Sequence, residues 1–190
     1  MHPALRFTTA DVEALPDPLD DRRYELIDGE LWLAKQPHWE HQLTGVTLSA
    51  ALLDWSLQSG LGVPNAAPGL IFSPEDDVAP DVVWISRARL AQGLGDDGKL
   101  HTAPELVVEI LSPGATNQRR DREAKLKLYT REGVDEYWII DWRTRVVQVY
   151  RRTDERLQAA ATLTDADTLT SPLLPGFAYP VGDLWRLSRT

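Results

Sequence analysis

Three charged residues of the chain have types and positions that could do phosphate chemistry: Asp81, Glu109 and Lys125. Asp81 opens a strand-like segment, Glu109 lies inside another, and Lys125 lies on the helix predicted directly after it. Two carboxylates that converge at strand ends, with a backbone carbonyl, make a hard oxygen site suited to Mg²⁺. Magnesium polarises phosphate and activates water, and a nearby lysine can stabilise the charge that grows on phosphate. The pattern predicts a phosphodiesterase site.

Glu109 is unusual because it interrupts an apolar segment, residues 104–114 (PELVVEILSPG). A short run this rich in β-branched residues predicts a buried strand, where an unpaired carboxylate is costly. Glu109 must therefore have a partner, bind a cation or mark the end of the strand. Helical phase supplies one partner. At about 100° per residue, Lys125 falls within the buried arc of the next helix, whereas Lys127 points to solvent.

Each of the three residues also has an ordinary structural interpretation. Asp81 follows a proline and could cap a turn. Glu109 could be a paired charge at a strand end, and Lys125 could extend its ammonium group past apolar surface to solvent. Their order and their elements favour the site, but a purely structural Glu109–Lys125 ion pair stays open as an alternative.

The elements that must position these residues indicate a mixed α/β chain, with a sheet and few helices. An Asp-Gly turn predicts an N-terminal hairpin over residues 24–33, and helices are predicted over 38–59 and 117–132. The apolar residues on one face of the first helix are Leu43, Val46, Ala50, Leu53 and Leu57. The clearest further strands are predicted over 78–85, 104–111, 135–141 and 146–150.

Composition bounds the class of protein. The chain has 190 residues, no cysteine and a net charge of −9. We expect one domain, residues 1–190, without disulfides, thiolate metal sites or cysteine nucleophiles. No charged leader precedes an apolar segment at the N-terminus, and no apolar run could span a membrane, so we expect a cytoplasmic protein with no membrane association. The acidic balance lowers the expectation of nucleic-acid binding without excluding it.

Several segments match one family in order: residues 24–30 (YELIDGE), 79–82 (APDV), 104–113 (PELVVEILSP), Lys125 and 133–138 (GVDEYW). Over roughly residues 7–185 the chain resembles the Uma2 family of bacterial endonucleases, a domain of unknown function placed in the PD-(D/E)XK nuclease superfamily. The resemblance implies a restriction-endonuclease-like core, in which a mixed β-sheet is flanked by helices. It also implies that Asp81 and Glu109 are both metal ligands.

The resemblance includes one departure and two additional residues. The superfamily's lysine usually lies two residues after the acid, and that position here is Leu111. The resemblance implies that the lysine has moved onto the next helix, which agrees with the independent phase argument for Lys125. The alternative is a nuclease fold without its lysine. Glu25 and His41 match recurring family positions, Glu25 as a further acid and His41 as a contact to phosphate or metal. The structural alternatives are a strand-edge carboxylate and a polar residue near a helix N-terminus.

Basic residues are frequent on the predicted second helix: Arg119, Arg120, Arg122, Lys125, Lys127 and Arg131. The start of this helix would lie near the site, so Arg119 and Arg122 are candidate contacts to the DNA backbone. The alternative is an ordinary charged helix face, on which Glu123 and Lys127 form an i,i+4 pair.

The expected function is a Mg²⁺- or Mn²⁺-dependent endonuclease that hydrolyses phosphodiester bonds in DNA. Asp81 and Glu109 would hold the metal, Lys125 would assist, and Glu25 would be a further catalytic acid. A different class of function is a catalytically silent nuclease-fold protein that acts through association or regulation, for example as a homodimer. The charge and the seven tryptophans give that alternative weight. A metal-dependent hydrolase of a small phosphate ester is a third.

Overall fold

The computed structural model describes residues 5–14, 23–34 and 36–188. The helices are α1 Thr9–Glu13, α2 Trp39–Ser59, α3 Arg87–Gly93, α4 Ala115–Arg119 and α5 Lys125–Glu132. A π-helical turn, Arg120–Ala124, joins α4 to α5, and a 3₁₀ helix covers Val181–Trp185. The strands are β1 Arg23–Ile27, β2 Glu30–Ala34, β3 Gly62–Ala66, β4 Leu70–Ser73, β5 Asp76–Val78, β6 Val82–Ser86, β7 Leu106–Ile110, β8 Glu136–Asp141, β9 Val146–Thr153, β10 Arg156–Leu163, β11 Thr168–Thr170 and β12 Ala178–Pro180.

The largest sheet has six strands in the order β10-β9-β8-β7-β6-β3. β7 and β8 run parallel, with Val108 opposite Trp138, and every other neighbouring pair is antiparallel. β7 and β8 are buried along their whole length, which explains why their sequences are nearly continuous apolar runs. This mixed sheet with flanking helices confirms the predicted α/β class.

The predicted N-terminal hairpin is also present. β1 and β2 pair antiparallel across Asp28 and Gly29, whose φ angles are 51° and 72°. A two-residue hairpin turn with positive φ at both positions suits an Asp-Gly pair. The hairpin belongs to a second sheet of four strands in the order β2-β1-β5-β4. It carries Glu25, on β1, into a buried position.

The two faces of the six-stranded sheet carry two separate apolar cores. On one face, Leu48 of α2 packs with residues such as Val108. On the other face, Leu128 and Tyr129 of α5 pack with residues such as Val107. Side chains alternate between the faces along a strand, so Glu109 shares the face of Val107 and lies under α5.

The second predicted helix differs from the observed one in two ways. It begins at Ala115 instead of residue 117, and it contains the π-helical turn Arg120–Ala124. A π turn holds one residue more than an α turn, which shifts the helical phase of everything before it by roughly 100° relative to α5. The phase count from α5 is therefore correct for Lys125 and incorrect for residues on the far side of the turn.

α2 forms where the sequence predicts a long helix, but its orientation is opposite to that of an ordinary amphipathic helix, which turns its apolar face to the core. The buried face carries His41, Thr44, Leu48, Leu52 and Ser56. The face that the sequence pattern picks out is turned outward, with Val46, Leu53 and Leu57 exposed. Among the described residues, neither α2 nor any other helix is long and apolar enough to cross a membrane.

Candidate active site

Glu109 is buried on β7, and two side chains of α5 donate to the same one of its oxygens. Lys125 Nζ and Tyr129 Oη each donate to Glu109 Oε1 at 2.8 Å. Among the described residues, no donor contacts the second oxygen, Oε2. The predicted contact between Glu109 and Lys125 is therefore present, and Tyr129 is an additional partner that helical phase alone did not single out.

Lys125 also contacts a second buried carboxylate, that of Glu25 on β1. Its Nζ lies 2.8 Å from Glu25 Oε1, which accepts a further hydrogen bond from the backbone N–H of Ala79 at 3.0 Å. Burial opposes the charged ammonium, but the carboxylates of Glu109 and Glu25 outweigh burial and raise the pKa of Lys125. The lysine is therefore a charged bridge between the two sheets.

Asp81 lies immediately before β6, at the end where β6 pairs with β7. Its Oδ2 accepts a hydrogen bond from the backbone N–H of Ile110 at 2.6 Å and lies 3.3 Å from His41 Nε2. Burial alone would raise the pKa of Asp81, but the contact with His41 lowers it below its ordinary value. Burial likewise opposes charge on His41, yet Asp81 raises the pKa of that imidazole. The contact with His41 of α2 thus keeps Asp81, which immediately precedes β6, in its ionised form.

The π-helical turn brings in two residues that the sequence did not assign to the site. Arg120 is buried, with its Nε 2.7 Å from Asp121 Oδ1 and its NH1 3.3 Å from Glu25 Oε2. Counted backwards from Ala124 as an α-helix, Arg120 would lie near Lys127 on the solvent side. The extra residue of the π turn rotates it inward instead. π turns are frequent at functional sites, but this one has no local sequence signal such as Pro or Gly.

The buried charges around Lys125 do not balance. The carboxyl groups are those of Glu25, Glu109 and Asp121, and the cations are Lys125 and Arg120. Three negative charges against two positive ones leave an excess of one carboxylate in a poorly solvated interior. Such an excess is costly unless a proton or a cation neutralises it. Burial, together with the neighbouring Asp81, raises the pKa of Glu109 to about 8 in spite of Lys125, so Glu109 takes the proton near neutral pH.

The donor set fits a hard divalent cation. Asp81 and Glu109 each commit one oxygen to protein donors, and among the described residues the other oxygen of each accepts no hydrogen bond. Within the same residues, no three side chains of the His, Cys, Asp and Glu types are arranged to hold a metal. Mg²⁺ can be held with fewer protein ligands than three, because one or two carboxylates commonly bind it and water and phosphate complete its shell.

A family model fits the chain over residues 9–182, and its description is "Putative restriction endonuclease". The chain belongs to the Uma2 family. A solved structure supports the fold of this Uma2 chain. A putative nuclease belonging to DUF820 from Anabaena variabilis ATCC 29413 superposes with a TM-score of 0.73 at 17% identity, over 94% of this chain and 97% of that one. The fold is thus the restriction-endonuclease-like core, a mixed β-sheet flanked by helices.

A second solved structure resembles this Uma2 chain only loosely. The type IIG restriction endonuclease BpuSI matches with a TM-score of 0.40 at 15% identity, over 76% of this chain and 15% of that one. No sequence among the curated proteins matches the chain.

The departure at Leu111 has a clear structural form in this Uma2 chain. Leu111 is buried in the apolar core under α5, so no charged side chain follows Glu109 at the usual distance. The ammonium group of Lys125 reaches Glu109 from the helix above instead. The position of the lysine in the chain differs from the superfamily pattern, while its contact with the acidic strand residue is present.

The candidate substrate contacts differ in position. His41 is buried against Asp81, so it lies within the carboxylate site. Arg119 is exposed and lies 3.7 Å from Glu123 on its own helix. Arg122 donates to Gln148 of β9. Neither arginine contacts Asp81 or Glu109, so their expected contact with DNA remains a prediction about the rim of the site.

Proposed function

We propose that this Uma2 chain is a Mg²⁺-dependent endonuclease that hydrolyses phosphodiester bonds in DNA. The observation that carries the proposal is the pair of carboxylate oxygens, on Asp81 and Glu109, that no described residue donates to. They adjoin a buried cluster with one carboxylate in excess, which a cation would neutralise. The family's description and the nuclease fold of its structural neighbour support the reaction class.

In this proposal, Asp81 and Glu109 hold the metal through their free oxygens. Bound Mg²⁺ would supply polarisation of the phosphate and a water of lowered pKa. The chain's own contribution is to keep the two carboxylates in place before the cation arrives. The Ile110 N–H and His41 fix one oxygen of Asp81, while Lys125 and Tyr129 fix one oxygen of Glu109.

Lys125 has a donor left for the reaction. An ammonium group has three N–H donors, and Lys125 directs two at Glu25 and Glu109. The third can donate to a phosphate oxygen or to the attacking water, where a positive charge stabilises the negative charge that develops. Glu25 acts through this lysine, so its role is to position and charge Lys125 rather than to touch the substrate.

A cleavage assay tests the proposal. Supercoiled plasmid, single-stranded DNA and RNA are incubated with the chain in Mg²⁺, Mn²⁺ or Ca²⁺. We expect DNA cleavage with Mg²⁺ and Mn²⁺, and background rates for Asp81→Asn and Glu109→Gln. The matched control is Glu136→Gln, which removes another buried carboxylate from the neighbouring strand β8. If both site variants cleave as fast as the wild-type chain, the site assignment is wrong.

One observation favours a catalytically silent protein as the second candidate. Lys125 and Tyr129 already satisfy Glu109 Oε1, and a proton on Glu109 would balance the cluster without a metal. The network could then be purely structural, as a buried ion pair often is. Absence of cleavage on every nucleic acid, together with absence of metal binding, would favour this candidate. Hydrolysis of bis(p-nitrophenyl) phosphate without nucleic-acid cleavage would favour a small-ester hydrolase.

A further inference from the structure

α2 carries a second apolar face that the described structure leaves largely uncovered, with one residue, Leu43, half-buried and the other five exposed. Its residues recur at alternating intervals of four and three, the spacing of a helix–helix seam. We call them the outer stripe: Trp39, Leu43, Val46, Ala50, Leu53 and Leu57. At about 100° per residue the stripe lies opposite the face that contacts the sheet.

The outer stripe is large for a solvent-facing surface. Trp39 is 74% exposed and Leu57 is 76% exposed, with Val46 and Leu53 between them at 65% and 47%. These fractions amount to on the order of 500 Å² of apolar surface, near the upper end of what a monomer usually presents in one patch. The helix meanwhile buries His41, Thr44 and Ser56 against the sheet. The exposed stripe therefore requires a partner to explain it.

The chemistry of α2 argues against DNA and membranes as that partner. Between Trp39 and Ser59 there is no lysine or arginine, and the charged residues are Glu40 and Asp54. DNA binding needs cations that meet phosphate. Helices that lie on anionic membranes likewise carry Lys and Arg along their polar face. An apolar protein surface is the occupant that remains.

A cavity flanks the C-terminal half of α2, to one side of the outer stripe, and has room for a large side chain. It has a volume of about 270 Å³ and lies between α2 and the segment that contains β12. Its aromatic walls are Trp55, Phe177 and Tyr179, with Asp54 at the rim. Trp55 and Phe177 meet edge to face at 6.4 Å, and Phe177 and Tyr179 stack at 6.5 Å.

The same helix carries a protruding tryptophan at its other end. Trp39 and Leu57 are 18 residues apart, which is five full turns, so they lie on one line about 27 Å apart. A projecting tryptophan at one end and an aromatic cavity at the other make the surface self-complementary. In a two-fold interface Trp39 of each copy can enter the cavity of the other copy, and such an assembly closes as a dimer.

We propose that the outer stripe binds a second copy of this chain. The two α2 helices run antiparallel, and the two-fold axis crosses the stripe at the level of position 48 along the helix. This register pairs Trp39 with Leu57, Leu43 with Leu53, and Val46 with Ala50 of the other copy. It places each Trp39 beside the other copy's aromatic cavity. A buried tryptophan in a pocket is the usual anchor of an interface.

The size of the surface is adequate for such a dimer. A standard interface takes roughly 800 Å² from each partner. The stripe supplies more than half of that area, and the cavity walls and the flanking Gln42 and Gln58 extend it. The proposal does not depend on the nuclease function, because none of these residues belongs to the carboxylate site.

Sedimentation over a concentration series tests the proposal on the full chain. We expect a monomer–dimer equilibrium whose Kd rises by at least about 100-fold in Leu57→Glu and in Trp39→Ala, as for hot-spot residues. Leu187→Glu is the matched control, because Leu187 is 77% exposed and lies outside α2, and its Kd should equal that of the wild-type chain. The folding of all three variants is checked by thermal unfolding, which substitutions at exposed positions should barely change.

Cross-linking tests the antiparallel register, since the chain has no cysteine. A mixture of Leu43→Cys and Leu53→Cys should form a disulfide dimer on mild oxidation. Each variant alone should not, because like residues would be about 15 Å apart along the helix, beyond the reach of a disulfide. A wild-type chain that is monomeric at every concentration overturns the proposal, as does a dimer that Leu57→Glu leaves intact. A monomer that instead sediments with phosphatidylglycerol vesicles also overturns it.

Discussion

Glu109 and Glu136 are buried glutamates on neighbouring parallel strands, and their surroundings differ. Glu136 receives donors on both oxygens: Trp138 Nε1 at 2.9 Å and Arg151 Nε at 3.2 Å reach Oε1, and Ser171 reaches Oε2. Glu109 receives both of its donors on one oxygen. Within the described residues, Glu109 therefore keeps one oxygen free for a further partner, whereas both oxygens of Glu136 are occupied.

The two glutamates differ in how their charge is compensated, and this separates a structural carboxylate from a candidate functional one. Glu136 meets one arginine and two neutral donors, so its charge is compensated. Glu109 shares Lys125 with Glu25 and has Asp81 nearby, and the result is a pKa raised to about 8 by burial and by those acids. A carboxyl group whose pKa is strongly shifted and that lies beside a specific charged partner is a candidate functional residue.

The largest expected effect is on cleavage. Glu109→Gln and Asp81→Asn should each reduce Mg²⁺-dependent DNA cleavage by at least about 100-fold, since even residues behind a metal ligand cost 10–100-fold. Glu136→Gln should keep most of the wild-type rate per folded molecule. Rates are measured by plasmid nicking. An equal loss in Glu136→Gln and Glu109→Gln would mean that the loss reflects folding.

Removing the cation beside each glutamate should lower the free energy of unfolding by different amounts. Lys125→Met leaves two buried carboxylates without their shared partner and should lower the free energy of unfolding by about 3–5 kcal/mol. Arg151→Met should cost less, because Trp138 and Ser171 still donate to Glu136 and the arginine side chain is partly exposed. Urea unfolding gives both values. If Arg151→Met is the more damaging change, the electrostatic picture of Lys125 is incorrect.

The pH dependence of the free energy of unfolding should reveal the titration of Glu109. Its pKa is raised from 4.5 to about 8, so the metal-free folded state binds a proton that the unfolded state has lost. Stability should therefore fall as pH rises from about 5 to 8, with a slope of at most about 1.4 kcal/mol per pH unit for one proton. Glu109→Gln should remove the share of the slope that Glu109 contributes and leave the share of His41, whose pKa is raised by Asp81. Glu136→Gln should retain the whole slope. Urea unfolding between pH 5 and 9 measures the slope, and an identical slope in Glu109→Gln would contradict the assignment.

The smallest expected effect is on DNA binding, through Arg119 at the rim of the carboxylate site. Arg119→Gln should weaken DNA binding uniformly across sequences and reduce the salt slope of log K by about 1. Arg186→Gln is the control, because Arg186 is comparably exposed and also pairs with an acid on its own helical segment. Fluorescence anisotropy at several salt concentrations measures both. Equal effects in the two variants would show that only the overall charge of the chain matters.

Much of the fold could be predicted because the sequence carries local signals for it. The Asp28-Gly29 turn specifies the hairpin, and the apolar runs at β7 and β8 specify buried parallel strands. The contact between Lys125 and Glu109 followed from helical phase because α5 is a regular α-helix. The metal-ligand roles of Asp81 and Glu109 came from the family resemblance, and they stay predictions.

The remainder could not be predicted because it depends on geometry without a local signal. The π turn rotates Arg120 into the interior, and an α-helical phase count cannot anticipate an inserted residue. The orientation of α2 was not evident for a different reason. The apolar spacing of Leu53 and Leu57 is the same whether their partner is the sheet or a second chain, so the pattern alone does not say which face is buried.

Metal binding is the most direct test of the central claim that Asp81 and Glu109 hold a cation. Mn²⁺ is titrated into the metal-free chain at pH 7 by calorimetry, in two buffers of different ionisation enthalpy. We expect one bound ion with release of a proton from Glu109, loss of binding in Asp81→Asn and Glu109→Gln, and unchanged binding in Glu136→Gln. Absence of binding in the wild-type chain, or equal binding in Glu109→Gln, would contradict it.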